Sequence, residues 1–155
     1  MPGDYCEGAI PDPIPNSERQ WYFVLRHGRV GHCQATKALM KNYIVVTGGA
    51  GFVGSNLIEL FLKKTNKKIL SIDNYSSGFK KNHIKSSRVK YLKAETTNIN
   101  QILSKYKNKI ESLFHFGEFS RIYQSFKNFN KCFESNSLGT QAVFKFCLDN
   151  KIKLI

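Results

Sequence analysis

The chain has 155 residues, 41% apolar and 13% aromatic, with 24 Lys and Arg against 11 Asp and Glu for a formal charge of +13. Those numbers fit one globular domain with enough apolar material for a core. No apolar run reaches the ~18–20 residues that cross a bilayer, and Asp4 and Glu7 stand where a secretory leader carries basic residues, so a cytoplasmic location and no membrane partner are expected.

The first segment, residues 1–39, holds all four prolines and a single lysine. The stretch GAIPDPIPNSERQ (8–20) sustains neither a helix nor a central strand. Its charges cancel: Arg19, Arg26, Arg29 and Lys37 against Asp4, Glu7, Asp12 and Glu18. We expect an irregular tail at 1–39 and a folded unit from 40 to 155. Arg26-His27-Gly28 resembles a histidine phosphatase motif, but too little chain surrounds it for that fold. The cysteines Cys6, Cys33, Cys132 and Cys147 form no CxxC pair, and no metal site is expected. Cys132 and Cys147 sit among aromatic residues and read as buried small hydrophobes.

All the excess positive charge lies in 41–155, mostly as scattered lysines with only Arg88 and Arg121 as arginines. Without a dense basic run this reads as a solvated surface, and no nucleic-acid partner is expected. A basic polyanion-binding protein remains the alternative that charge alone would suggest.

From Tyr43 the pattern becomes regular. The β-branched run at 43–47 reads as a strand, and Val53, Leu57, Leu60 and Phe61 place a helix over 52–64. Between them lies TGGAGFVG, with Gly49-x-Gly51-x-x-Gly54 and Gly48-x-x-Gly51-x-x-Gly54. A glycine-rich turn that follows a strand and opens a helix lets a dinucleotide pyrophosphate approach bare backbone and meet free N–H groups. No Gly-Lys-Ser/Thr follows, which excludes a P-loop. Strand KILSID (68–73) ends at Asp73, about 20 residues beyond the loop. A carboxylate there accepts hydrogen bonds from adenosine ribose hydroxyls and repels a 2′-phosphate, which favours NAD over NADP.

Further on, 88–93 reads as a strand, 98–107 as a helix, 112–117 as a strand and 126–148 as one long helical stretch. A last strand begins at Lys153. Strands alternating with helices predict an α/β fold: a Rossmann-type doubly wound parallel sheet, cut at about its fifth strand.

TGGAGFVGSNL (47–57) and DNYSSG (73–78) resemble the extended short-chain dehydrogenases, in particular the NAD-dependent sugar-nucleotide epimerases and dehydratases. LFHFGEFSRIYQSFKNFNKCFESNSLGT (113–140) is similar to that family's pattern at His115, Ser125 and Asn136 through Thr140. The resemblance implies roles for many residues. Gly48, Gly51, Phe52, Val53 and Gly54 would wrap the pyrophosphate of NAD. Asp73 and Asn74 would hold the adenosine ribose, with Ser76, Ser77 and Gly78 near its phosphate. Glu95 and Thr96 would stand beside the adenine. Phe116, Gly117 and Glu118 would lie under the nicotinamide half, and Asn136 near the cofactor. In two places the chain departs from the family. Glu95 replaces an aspartate, and Gly117-Glu118 replaces Ala-Ala, bringing a carboxylate toward the cofactor.

The resemblance also implies a nucleotide-sugar substrate, a homodimer at full length, and a Tyr-x-x-x-Lys base on a helix beyond the fifth strand. The expectation is therefore an NAD-binding portion whose catalytic pair lies past Ile155, inactive by itself. Tyr123-Gln-Ser-Phe-Lys127 has the right spacing but falls one crossover too early. A non-catalytic dinucleotide-binding module is the other reading of the same residues.

Overall fold

The computed structural model describes residues 41–155. The tail expected at 1–39, with Arg26-His27-Gly28, Cys6 and Cys33, lies outside the described residues.

Tyr43–Thr47 forms β1, and from Ile44 onward it is buried on both faces. This is why its sequence runs β-branched without alternation. Phe52–Lys64 forms α1, and Lys68–Asp73 forms β2. Val89–Lys93 is β3, and Ile110–His115 is β4. Lys153–Leu154 is β5. All pairings are parallel, in the order β3-β2-β1-β4-β5. The chain thus winds outward on one side of β1, then crosses back and winds outward on the other.

Alternate residues of the strands feed two cores. On one face Val45, Leu70, Ile72, Ile110 and Leu113 pack with Ile99, Leu103, Val143, Phe146 and Cys147. On the other, Ile44, Val46 and Ile69 pack with Ile58 of α1, bordered by Phe61, Val89, Tyr91 and Phe114. Each such side chain, fully buried, contributes roughly 1.5–3 kcal/mol. Helices on both faces make this the expected doubly wound sheet, and its topological switch lies between β1 and β4.

The structure differs from the sequence expectation in several places. The helix expected over 98–107 is a 3₁₀ turn at Thr96–Asn98 followed by α2, Ile99–Leu103. Ile99 and Leu103 complete the buried contact, and the chain then tightens, with Tyr106 N–H donating to the Leu103 carbonyl at 2.8 Å. That turn seats the Tyr106 ring 5.3 Å from Tyr43 and lets β4 begin at Ile110, two residues earlier than expected. The long helix expected over 126–148 is three helices: α3 (Ile122–Lys127), α4 (Phe129–Phe133) and α5 (Thr140–Asp149). Asn128 leaves helical geometry at φ −127° and ψ 47°, and Glu134–Gly139 widens into a π-turn before α5. Finally, Cys147 is buried as expected, but Cys132 is only half-buried.

Arg88 closes the carboxyl end of α1. Its guanidinium donates to the carbonyls of Leu62 and Thr65, groups that the helix itself leaves without partners. Replacing Arg88 with Met keeps the aliphatic stem and removes both bonds. We expect a stability loss of about 1–3 kcal/mol by urea unfolding. A variant as stable as wild type would remove this clamp from the account.

Candidate functional site

At the carboxyl ends of β1, β2 and β4 a crevice of about 350 Å³ opens. Its floor is the glycine turn. Gly48 has φ +69°, a left-handed conformation that glycine adopts without strain. A Cβ at Gly54 would sit 2.3 Å from the Gly48 carbonyl oxygen, so only glycine lets α1 press onto the turn. Gly51, in extended geometry, caps α1 with no side-chain hydrogen bond. The first α1 amide with a backbone acceptor is Ser55, which donates to the carbonyl of the capping Gly51 at 3.1 Å. The Phe52, Val53 and Gly54 amides are thus left to the crevice, and they carry the positive end of the helix dipole.

Asp73, at the end of β2, is 7% exposed. Its two carboxylate oxygens accept from Ala50 N–H at 2.9 Å and Tyr75 N–H at 2.8 Å. One side chain therefore fixes both the glycine turn and the loop after β2. The Ala50 carbonyl completes the joint, accepting from Phe79 N–H and from the Asn82 side-chain amide. Asn74 donates to Glu95 at 2.9 Å and accepts from Ser76 N–H at 2.9 Å, so the expected adenosine residues support one another.

Across β1 a second polar group sits at the end of β4. Thr47 Oγ1 accepts from the Phe116 and Gly117 amides, both at 3.1 Å, and lies 2.6 Å from His115 Nδ1. His115 Nε2 is 3.1 Å from Thr140 Oγ1, which donates to Glu118 Oε1 at 3.1 Å. Burial lowers the His115 pKa below its ordinary 6.5, partly opposed by the Glu118 charge.

Gly48, Gly51, Phe52, Val53, Gly54, Asp73, Asn74, Ser76, Ser77, Gly78, Glu95, Thr96, Phe116, Gly117 and Glu118 all line the crevice. Asn136 does not line it. Its amide instead brackets the backbone of Phe119, accepting from the N–H at 2.6 Å and donating to the carbonyl at 3.0 Å. It braces the loop after β4 from behind. Ser125 also lies away from the crevice, bonded to the Ile122 carbonyl on α3.

The crevice adds Ile72, Ala94, Ser120, Arg121 and Ser135, which sequence reasoning missed. Ile72 and Ala94 precede Asp73 and Glu95 at strand ends, a position that could have found them. Arg121 is one of two arginines in a lysine-rich segment, a weak signal. Ser135 reaches the crevice only because the π-turn rotates it there, where it donates to the Gly117 carbonyl at 3.3 Å. Tyr123 and Lys127 do not line the crevice. Tyr123 is 73% exposed, with the Lys127 ammonium 4.9 Å from its ring. No group of three potential metal ligands occurs among the described residues, and no described helix is long and apolar enough to cross a membrane.

Comparison with known proteins places this geometry. Residues 44–155 match the family described as NAD dependent epimerase/dehydratase. ADP-L-glycero-D-manno-heptose-6-epimerase of Brachyspira hyodysenteriae is 33% identical over 115 residues, 72% of this chain and 35% of that protein. dTDP-D-glucose 4,6-dehydratase of Dictyostelium discoideum is 31% identical, covering 71% of this chain and 27% of that protein. The chain thus spans about a third of the length of the curated relatives it matches. Among solved structures, the Bordetella bronchiseptica enzyme WbmF in complex with NAD+ superposes with a TM-score of 0.66 at 26% identity, over 75% of this chain and 34% of that one.

The His115 cluster makes stability depend on pH. Its folded pKa is depressed, so the unfolded chain binds the extra proton more readily. This contribution is whole above 6.5 and is lost as pH falls through the lower folded value. Resistance to urea should therefore fall between pH 7 and pH 5 in wild type and fall less in His115→Gln. Equal slopes in the two proteins would contradict a neutral, buried imidazole.

Proposed function

Because the chain belongs to the NAD dependent epimerase/dehydratase family, we propose that its 40–155 unit is the NAD-binding portion of an enzyme that epimerises or dehydrates nucleotide sugars. Residues 1–39 stand outside that unit in this reading. The supporting observation is convergence. The glycine turn, Asp73 with Asn74 and Glu95, and Phe116–Glu118 come from four separate stretches of sequence and line one crevice at the switch of strand order, where open parallel sheets bind nucleotides.

The residues fit the cofactor. Glycine at 54 lets α1 settle onto the Gly48 carbonyl, and the bare amides this brings to the start of α1 suit a pyrophosphate. The Asp73 oxygens each spend one acceptor site on a backbone amide. A carboxylate has about four such sites, so capacity remains for ribose hydroxyls. Phe52 and Val53, 83% and 54% exposed at the mouth, would cover the phosphates and exclude water. Arg121 adds a cation to the lining.

When bound, NAD supplies a hydride acceptor and donor at its nicotinamide. The part of the chain here is to bind and orient it: amides of α1 on the pyrophosphate, the β2–β3 loops on the adenosine, and the β4 loop under the other nucleoside. A nucleotide-sugar substrate is supported by the names of the relatives. No described residue is assigned the proton-transferring base. Tyr123 and Lys127 stand outside the crevice, and the 155-residue chain by itself is expected to bind cofactor without turning over nucleotide sugar.

A homodimer at full length is part of the same reading. Ile122 and Phe126, Phe129 and Phe133, and Phe144 and Leu148 are exposed pairs four residues apart on α3, α4 and α5. Apolar faces of this kind commonly cover another surface.

Titration calorimetry with the two cofactors tests the cofactor reading. We expect NAD to bind about tenfold or more tightly than NADP, because a 2′-phosphate would approach the Asp73 carboxylate. Equal or tighter binding of NADP would remove Asp73 from this role.

A further inference from the structure

The hydrogen bonds around His115 admit a single self-consistent direction. Thr47 Oγ1 accepts from the Gly117 amide and shares the Phe116 amide with the Thr47 backbone carbonyl, which leaves its own proton free for His115 Nδ1, 2.6 Å away. At the far end the Glu118 carboxylate only accepts, so the Thr140 hydroxyl spends its proton there. Thr140 can then only accept from His115, which puts the ring proton on Nε2. Both ends fit the same neutral tautomer, and the lowered His115 pKa agrees with it. The chain of bonds begins on the buried end of β1 and ends on a carboxylate that lines the crevice.

The position of that carboxylate follows from the fold. Asp73, Asn74 and Glu95 lie on the β2–β3 side of the glycine turn, and Phe116–Glu118 lie on the β4 side. A dinucleotide with its pyrophosphate on the turn and its adenosine over β2–β3 must carry its second nucleoside toward β4. The oxidised nicotinamide ring bears a positive charge, whereas the reduced ring is neutral. We infer that Glu118, held by Thr140 and through it by His115 and Thr47, is a specificity residue that favours the oxidised over the reduced dinucleotide. This rests on the crevice being the NAD site. Arg121 also lines the crevice, but it forms no ion pair with Glu118 within 4.0 Å: among the described residues the ion pairs are Lys63–Glu59, Lys67–Glu111 and Lys145–Asp149. Thr140 and Thr47 are positioning residues that do not themselves line the site.

The 155-residue chain and its Glu118→Gln and Thr140→Val variants are titrated with NAD+, NADH and ADP-ribose at low ionic strength. Glutamine keeps the acceptor for Thr140 and removes the charge. The ratio of NAD+ to NADH affinity should fall about three- to tenfold in Glu118→Gln, as expected for one partly solvated charge pair. Thr140→Val should lower the ratio in the same direction by a smaller factor, and ADP-ribose, which has no nicotinamide, should bind all three proteins alike. An unchanged ratio in a Glu118→Gln protein that still binds both nucleotides would overturn the inference and leave the cofactor site standing. An equal change for ADP-ribose would also overturn it, since the charge would then act on the phosphates. A wild-type chain that binds none of the three would overturn the site and the inference together.

Discussion

Everything in this molecule's candidate site depends on one close approach of backbone to backbone. The Gly48 carbonyl lies where a Cβ of Gly54 would be, at 2.3 Å. Without side chains at either position, the first turn of α1 settles directly over the end of β1. That contact aims the free amides of α1 into the crevice, and it puts Ile58, one turn further along α1, into the core with Ile44, Val46 and Ile69. A methyl group at Gly54 would have to push helix and strand apart, and both the core and the amides would move with them. Packing and the exposure of bare amides to the crevice therefore follow from the same missing atoms.

A turn this bare needs outside support, and polar side chains provide it from both flanks. On the β2 side Asp73 holds two backbone amides, one in the glycine turn and one in the loop that follows. On the β4 side Thr47 holds the amides of Phe116 and Gly117. Both groups are almost wholly buried, and each finds hydrogen-bond partners inside the protein. Ser71, directly beneath the turn, is the contrast. Its hydroxyl is buried without a partner, and a Cβ at Gly49 would lie 2.0 Å from it. The space under the loop is so tight that the glycine and the small serine come as a pair.

Much of this could be seen in the sequence, for definable reasons. The central strand, α1 and β2 carry strong local patterns, and the glycine spacing has meaning because a strand precedes it and a helix follows. Asp73 was visible because it ends a strand at the right distance. Where a residue's position is decided by distant contacts, the sequence was a poorer guide. Asn136 lies on an apparent helix near the motif, yet it faces the Phe119 backbone, because the π-turn at 134–139 changes the rotation of that segment. Gly139 lets the widened turn close on Thr96, whose hydroxyl lies 2.3 Å from where a Cβ would be. The same turn exposes Ser135 to the crevice. The break at Asn128 and the early end of α2 are also tertiary effects, since helical periodicity continues through both. The carboxylate at Glu118 could be read from the sequence as a departure from the family pattern; its hydrogen-bonded support could not.

The central claim is that the crevice over the glycine turn is where the dinucleotide lies. Backbone amide shifts of the isotopically labelled chain, followed while NAD+ is added, test it most directly. Saturable shifts are expected at Gly51–Gly54, at 73–78, at Glu95 and Thr96, and at Phe116–Glu118, with Tyr43, Lys68 and Val89 at the opposite, amino-terminal ends of the strands unmoved. Absence of shifts in the folded chain, or shifts confined to those opposite strand ends, would contradict it.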